Sequence, residues 1–124
     1  MIDHVSVAVS NLNRASDFYE AVLTALGYTK LETRPATVAF GKKYSEFWIN
    51  HRPGMTPLPA DCGSHVALRG ASREAVAAFH AAAIAQGGRS DGAPALRPQH
   101  GDGYFSAYIR DPDGNRIEAV TFLK

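Results

Sequence analysis

The chain has 124 residues, of which 45% are hydrophobic, so it is long enough to form one globular domain with a sizeable core. Its 13 basic and 12 acidic residues give a formal charge of +1, which offers no electrostatic reason to bind nucleic acid or an anionic membrane. A single cysteine, Cys62, excludes an intramolecular disulfide, and no stretch has the pattern of a signal peptide or of a membrane span, so we expect a cytoplasmic protein.

The first half of the chain predicts a strand, a helix and three further strands. Valines alternate with polar or small residues from Val5 to Val9, as in a strand with one buried face. Ser10 or Asn11 supplies the N-cap of the helix, and Gly27 stops it. The helix is predicted over residues 13–26, and the three following strands over 28–33, 36–41 and 46–51.

The second half begins after a segment rich in proline and glycine, which predicts a linker over residues 53–62. Ser72 caps a second helix that ends near Gln86. The segment 89–103 has little periodicity and is predicted to be irregular, whereas residues 111–115, Asp-Pro-Asp-Gly-Asn, predict a tight turn because proline presets φ and glycine accepts a positive φ. Strands are predicted over 64–69, 104–110 and 116–122.

The two halves resemble each other at a constant offset of 61 positions. The matches run without a gap through a strand, a helix and the glycine that stops the helix, which indicates a duplication. We therefore expect one domain over residues 1–124, with module one at 1–52 and module two at 63–124. The matched pairs are His4 with His65, Phe18 with Phe79, Ala21 with Ala82, Leu23 with Ile84 and Gly27 with Gly88.

Strand alternation predicts that polar and aromatic side chains collect on the sheet face that the helices leave uncovered. Two imidazoles and a carboxylate, those of His4, His65 and Glu118, share this face. They form a nitrogen and oxygen ligand set suited to Fe, Mn, Ni, Co or Zn, with coordination positions left open for substrate oxygens. We predict a divalent metal ion bound by these three residues.

The rest of the predicted face would line a substrate pocket or move protons. Each residue alone has a simpler interpretation, since a lone histidine is commonly a hydrogen-bonded polar residue and Glu118 alone is more commonly solvent-facing. The shared repeat position of the histidines and the common face of all three ligands favour the metal site. The predicted pocket residues are Ser6, Trp48, Asn50, Arg69 and Ser106, and the candidate proton donors or acceptors are Tyr104, Tyr108 and, from the irregular segment, His100.

Three segments resemble the vicinal oxygen chelate superfamily: IDHVSVAVSNLNRASDFYEAVLTALGY, SHVALRGASREAVAAFHAAAIAQGG and YIRDPDGNRIEAV. This superfamily includes glyoxalase I, extradiol dioxygenases, fosfomycin-resistance enzymes, methylmalonyl-CoA epimerase and bleomycin-resistance proteins. The resemblance implies an α+β fold in which two tandem βαβββ modules form a cupped, partly open mixed β-barrel. It also implies that His4, His65 and Glu118 are metal ligands, and it leads us to expect a homodimer whose site forms within one chain or between two subunits.

The resemblance also implies a choice between activities. Glyoxalase-type members place a fourth ligand, Glu or Gln, on the last strand of the first module, where the best match by residue type is Asn50. Asn is shorter and neutral, so glyoxalase I activity should be absent or feeble. We expect a metal-dependent enzyme that acts on a small substrate with vicinal oxygens, through lyase, isomerase or dioxygenase-like chemistry. The alternative is a small-molecule or antibiotic-binding protein of the bleomycin-resistance type, in which the metal is vestigial or absent.

Overall fold

The computed structural model describes all 124 residues, which form two four-stranded mixed sheets and two α-helices. The first sheet has the strand order β1-β4-β3-β2 and the second has the same order, β5-β8-β7-β6. In each sheet the first and last strands of the module pair in parallel, and the other pairs are antiparallel. The elements are β1 (Val5–Val9), α1 (Leu12–Thr24), β2 (Thr29–Arg34), β3 (Thr37–Gly41), β4 (Phe47–His51), β5 (Val66–Arg69), α2 (Arg73–Ala85), β6 (Arg89–Leu96), β7 (Tyr104–Arg110) and β8 (Arg116–Phe122).

The duplication is visible in the positions of these elements. Helices α1 and α2 have 13 residues each and begin 61 positions apart, which is the offset of the sequence repeat. Asn11 is the N-cap of α1, because its side chain accepts a hydrogen bond from the Arg14 backbone N–H at 3.0 Å. Ser72 caps α2 in the same way through Ala75 at 3.1 Å. The two sheets are not joined into a closed barrel, so the predicted fold of two tandem modules with a partly open cup is confirmed.

One predicted segment is corrected by the structure. Residues 89–103 are not irregular throughout, because β6 occupies the first part and a 3-10 helix occupies Pro98–His100. The sequence does not show the alternation typical of a strand here. The register of β6 against β7 shifts twice, on either side of Gly92, so its side chains do not alternate regularly between the two sheet faces. Pro94 is tolerated there because β6 lies at the edge of its sheet and pairs with β7 alone.

Both modules contribute to one hydrophobic core. A single cluster of 21 buried residues includes Phe18 of α1 and Phe79 of α2, which the repeat places at equivalent positions and which are 1% and 0% exposed. Gly88 lies at this junction, where an added Cβ would come within 2.8 Å of the Phe18 ring and 2.7 Å of the Arg110 carbonyl oxygen. The modules therefore share their core. Neither helix is long and apolar enough to cross a membrane.

Side chains of the tight turn between β7 and β8 form hydrogen bonds that connect module two to module one. The Asp111 carboxylate accepts a hydrogen bond from the Tyr19 hydroxyl of α1 at 2.6 Å, and Asn115 Nδ2 donates to the Ala8 carbonyl oxygen of β1 at 2.8 Å. Asp113 Oδ2 accepts from the Ser10 backbone N–H at 3.0 Å. We call Asp111, Asp113 and Asn115 the inter-module latch. All three are at least nine-tenths buried, and their hydrogen bonds hold polar groups that would otherwise be costly to bury.

Candidate functional site

A buried carboxylate lies at the centre of the uncovered face of the second sheet. Glu118 on β8 is 1% exposed, and its Oε1 lies 3.0 Å from His65 Nε2. Its Oε2 accepts a hydrogen bond from the Tyr104 hydroxyl at 2.6 Å. Both carboxylate oxygens therefore have partners, as a buried acid requires. These contacts join His65, which lies directly before β5, with Tyr104 on β7 and Glu118 on β8.

Aromatic and basic side chains surround this carboxylate. Tyr108 is directly opposite Glu118 in the β7–β8 ladder, and its ring centroid lies 5.9 Å from that of His65. The Arg116 guanidinium lies 4.2 Å from the centroid of the Tyr108 ring. Arg69, which is exposed, packs over Phe122 at 4.5 Å. The site thus combines one buried acid with aromatic walls and cations at its rim.

The candidate proton donors occupy different environments. Tyr104 contacts Glu118 directly, whereas His100 is exposed on the 3-10 helix with its ring centroid 5.2 Å from that of Tyr104. Burial raises the pKa of the Tyr104 and Tyr108 hydroxyls, and the nearby negative charge of Glu118 raises it further. Both hydroxyls are therefore protonated at neutral pH and can donate hydrogen bonds.

The raised pKa values predict a loss of stability in alkali. A tyrosine whose pKa is higher in the folded than in the unfolded state stabilises the fold fully below the unfolded value of about 10, and this contribution is lost as the pH rises through the folded value. We expect the urea concentration at the unfolding midpoint to decrease as the pH is raised from about 9.5 to about 11.5. The decrease should be less steep in Tyr104→Phe. Tyr44→Phe, at an exposed position, is the control. Equal slopes in wild type and Tyr104→Phe would contradict the prediction.

His4 is placed differently from the other two predicted ligands. It lies just before β1, is exposed, and its Nδ1 lies 2.7 Å from Asp3 Oδ1. His4 and His65 both line one cavity of about 300 Å³, which Glu46 also borders. No group of three or more His, Cys, Asp or Glu side chains in the chain is arranged to hold a metal ion. The structure therefore brings His65 and Glu118 together and leaves His4 outside their cluster.

The uncovered face of the first sheet forms a second, more open cavity of about 300 Å³. Trp48 is half-buried there, and the Arg34 guanidinium lies 5.1 Å from its ring centroid. The Thr37 hydroxyl lies 2.7 Å from Asn50 Oδ1. Sequence reasoning did not identify Arg34 or Thr37, because their approach to this cavity depends on strand pairing. The lining residues are His4, Ser6, Arg34, Thr37, Trp48 and Asn50.

Ser106, predicted as a pocket residue, is fully buried on β7. Its side-chain oxygen has no hydrogen-bond partner, and Ser106 lines none of the cavities of the chain. Its backbone carbonyl accepts from Arg97, whose guanidinium also lies 5.6 Å from the Tyr108 ring centroid. The second sheet is therefore closely covered by its own side chains, in contrast to the first.

Strand register corrects one correspondence between the modules. In the β1–β4 ladder Ser6 is opposite Trp48, and in the β5–β8 ladder Ala67 is opposite Glu118. Ser6 and Ala67 are 61 positions apart, so Trp48, and not Asn50, occupies the position of Glu118 in module one. The residue chosen by type, Asn50, is therefore two positions away from the true counterpart, Trp48. A shift of two residues keeps the side chain on the same sheet face but changes the residue opposite which it lies. An indole has no lone pair to offer a metal, so module one supplies no ligand at this position.

Comparisons with known proteins identify the family. The model of the glyoxalase/bleomycin resistance protein/dioxygenase superfamily matches residues 1–119, so the chain belongs to this superfamily, as its sequence motifs predicted. The fold is similar to a glyoxalase/bleomycin resistance protein from Albidiferax ferrireducens T118, with 33% identity over 95% of this chain and 96% of that chain and a TM-score of 0.83.

More distant structures share the fold alone. A genomically encoded fosfomycin resistance protein from Listeria monocytogenes is 18% identical over 97% of this chain and 91% of that chain, with a TM-score of 0.70. A glyoxalase/bleomycin resistance protein/dioxygenase family enzyme from Burkholderia phytofirmans PsJN is also 18% identical, over 98% of both chains, with a TM-score of 0.70. No curated protein matches the chain significantly. The family thus includes enzymes and resistance proteins.

Proposed function

We propose that the protein is a metal-dependent enzyme that binds one divalent cation per chain through His65, Glu118 and His4. The observation that carries this proposal is the 3.0 Å approach of His65 Nε2 to Glu118 Oε1. Two atoms of the ligand types that suit these metals lie within contact distance, and their residues are 53 positions apart in sequence. A bound cation would take the place of this direct contact.

The remaining residues fit this site in distinct ways. Tyr104 donates to the second oxygen of Glu118 and so fixes the orientation of the carboxylate. His4 is exposed and its side chain is held only by Asp3, its neighbour in sequence, so it can turn toward the pair. A bound cation would supply Lewis-acid polarisation of a substrate oxygen. Tyr108 lies beside Glu118 and would donate a hydrogen bond to the substrate.

Three further expectations belong to this proposal. The family resemblance supports a homodimer, in which His4 of the second copy is another source of the third ligand. The single cysteine, which allows no disulfide within the chain, suits the reducing cytoplasm that we propose as its location. Lactoylglutathione lyase activity should be absent or feeble, because Trp48 replaces a carboxylate at the fourth position.

Metal content and metal-dependent melting test the proposal. We expect purified protein to contain close to one divalent ion per chain after incubation with Mn²⁺, Ni²⁺, Zn²⁺ or Fe²⁺ and desalting. At a metal concentration 100 times the Kd, mass action should stabilise the fold by about 2.7 kcal/mol. Affinity should fall as the solution is acidified, because an imidazole must be neutral to bind a cation. Metal-free protein whose melting temperature no cation changes would overturn the enzyme proposal.

A second candidate function would then lead. The protein would bind a small molecule without using a metal, in the manner expected of bleomycin-resistance relatives. The arrangement of Glu118 favours this alternative, because both its oxygens already have protein partners and no third ligand joins the pair. Trp48 favours it too, since it offers an aromatic surface where module two has an acid.

A further inference from the structure

The two modules have chemically different side chains at one equivalent position, a carboxylate in module two and an indole in module one. Glu118 in module two is covered by Tyr104 and His65, whereas its counterpart Trp48 is half-buried beside an open cavity. The neighbouring strand explains part of the difference. Tyr108 is opposite Glu118, but Ala39 is opposite Trp48, and a methyl group cannot cover an indole as a phenol covers a carboxylate.

We propose that the cavity of module one binds a planar aromatic carboxylate, whose ring stacks on Trp48 and whose carboxylate pairs with Arg34. Trp48 supplies a large flat surface that favours aromatic partners. Arg34 is the one lining residue with a permanent charge, and no carboxylate lines the cavity. A guanidinium matches a carboxylate with two parallel hydrogen bonds, so the charge selects an anion of this shape.

Arg34 can exchange its present partners for a ligand carboxylate. Its guanidinium now lies over the indole and donates to Glu32 Oε1 at 2.6 Å, but its side chain is 58% exposed and that of Glu32 is 38% exposed. An ion pair in such an exposed setting contributes little stability, so a ligand carboxylate can compete for it. The ligand ring would then take the place of the guanidinium on the indole.

The polar residues of the cavity complete the recognition. Ser6, Thr37 and Asn50 place hydroxyl and amide groups around the indole, where they can bond to ring substituents. A cavity of about 300 Å³ suits a ligand with one ring. This inference goes beyond the proposed function, because the cavity of module one shares only His4 with the proposed metal site. It requires no metal, so the two proposals can fail separately.

Trp48 provides the probe, because it is the only tryptophan of the chain. We would titrate chelator-treated protein with 4-nitrobenzoate and follow tryptophan emission, corrected for absorption with N-acetyltryptophanamide. Saturable quenching is expected with 4-nitrobenzoate. The neutral 4-nitrobenzamide should bind about tenfold or more weakly, the change expected when a charge-assisted hydrogen bond is lost. Acetate, which has no ring, should not compete.

Two arginine variants make the test specific. Arg34→Gln should weaken 4-nitrobenzoate to the level of the amide while leaving the binding of 4-nitrobenzamide unchanged. Arg52→Gln removes the same charge from an exposed residue that does not line the cavity, and it should bind like wild type. Equal binding of the acid and the amide, an unaffected Arg34→Gln variant, or quenching that never saturates would each overturn the proposal. Metal-induced melting shifts would be untouched by any of these results.

Discussion

Asp111→Ala is expected to destabilise the fold by about 3 to 5 kcal/mol, because it breaks a buried polar network. Asp111 accepts from the Tyr19 hydroxyl, from the backbone N–H groups of Asp113 and Asn115, and from Asn115 Nδ2. Without the carboxylate these buried donors lose their acceptor, and Tyr19, which is 0% exposed, has no contact with bulk solvent that could replace it. Thermal and urea unfolding would show the melting temperature lowered by about 10 °C or more.

Two further variants distinguish the loss of the latch hydrogen bonds from the general effect of a substitution on stability. Tyr19→Phe keeps the packed ring and removes one hydroxyl, so it should cost about 1 to 2 kcal/mol. Asp17→Ala, on the exposed face of α1, should change stability by less than about 0.5 kcal/mol. An Asp111→Ala variant as stable as Asp17→Ala would show that the latch hydrogen bonds do not hold the modules together.

Glu118→Ala is expected to abolish the response to metals and to lower stability by about 2 to 4 kcal/mol. The substitution removes the only carboxylate of the proposed ligand set and leaves a void beside Tyr104 and His65. Thermal melting with and without Mn²⁺, Ni²⁺ and Zn²⁺ would measure both effects. The metal-induced shift of wild type should disappear.

Glu118→Gln is the matched variant for this experiment. It keeps the shape of the side chain and a hydrogen-bond acceptor for Tyr104, but it removes the charge that a cation requires. We expect it to be more stable than Glu118→Ala. Metals should change its melting temperature as little as they change that of Glu118→Ala. A Glu118→Gln variant that kept the full metal-induced shift would show that the cation binds elsewhere in the chain.

The duplicated architecture could be predicted from sequence because each level of the pattern agreed. Valine alternation, helix caps and the constant offset all predicted equivalent positions for His4 and His65, and in the structure each lies directly before the first strand of its module. β6 was missed because two register shifts around Gly92 destroy the alternation on which strand prediction depends. Likewise, sequence could assign Trp48 and Asn50 to one face but could not tell which is opposite Ser6, because register is a property of the paired strands.

The turn at residues 111–115 shows a different limit of sequence analysis. Its composition predicts a tight turn, and the structure has Gly114 at φ +92° within it. Nothing local indicates that Asp111 reaches Tyr19, which is 92 positions away. That contact exists only after the two modules pack, whereas the pairing of His65 with Glu118 and the cation–π contact between Arg34 and Trp48 form when strands pair within one module.

The shared core and the latch also bear on how such a chain could arise. Each helix packs on the sheet of its own module and also on the other helix, so a single module would leave the helix–helix contact uncovered unless two identical chains paired. Fusion of two gene copies would make that pairing independent of concentration. Fusion would also allow the two halves to differ in sequence, whereas the two chains of a symmetric pair must be identical. Glu118 in module two and Trp48 at the equivalent position in module one are such a difference.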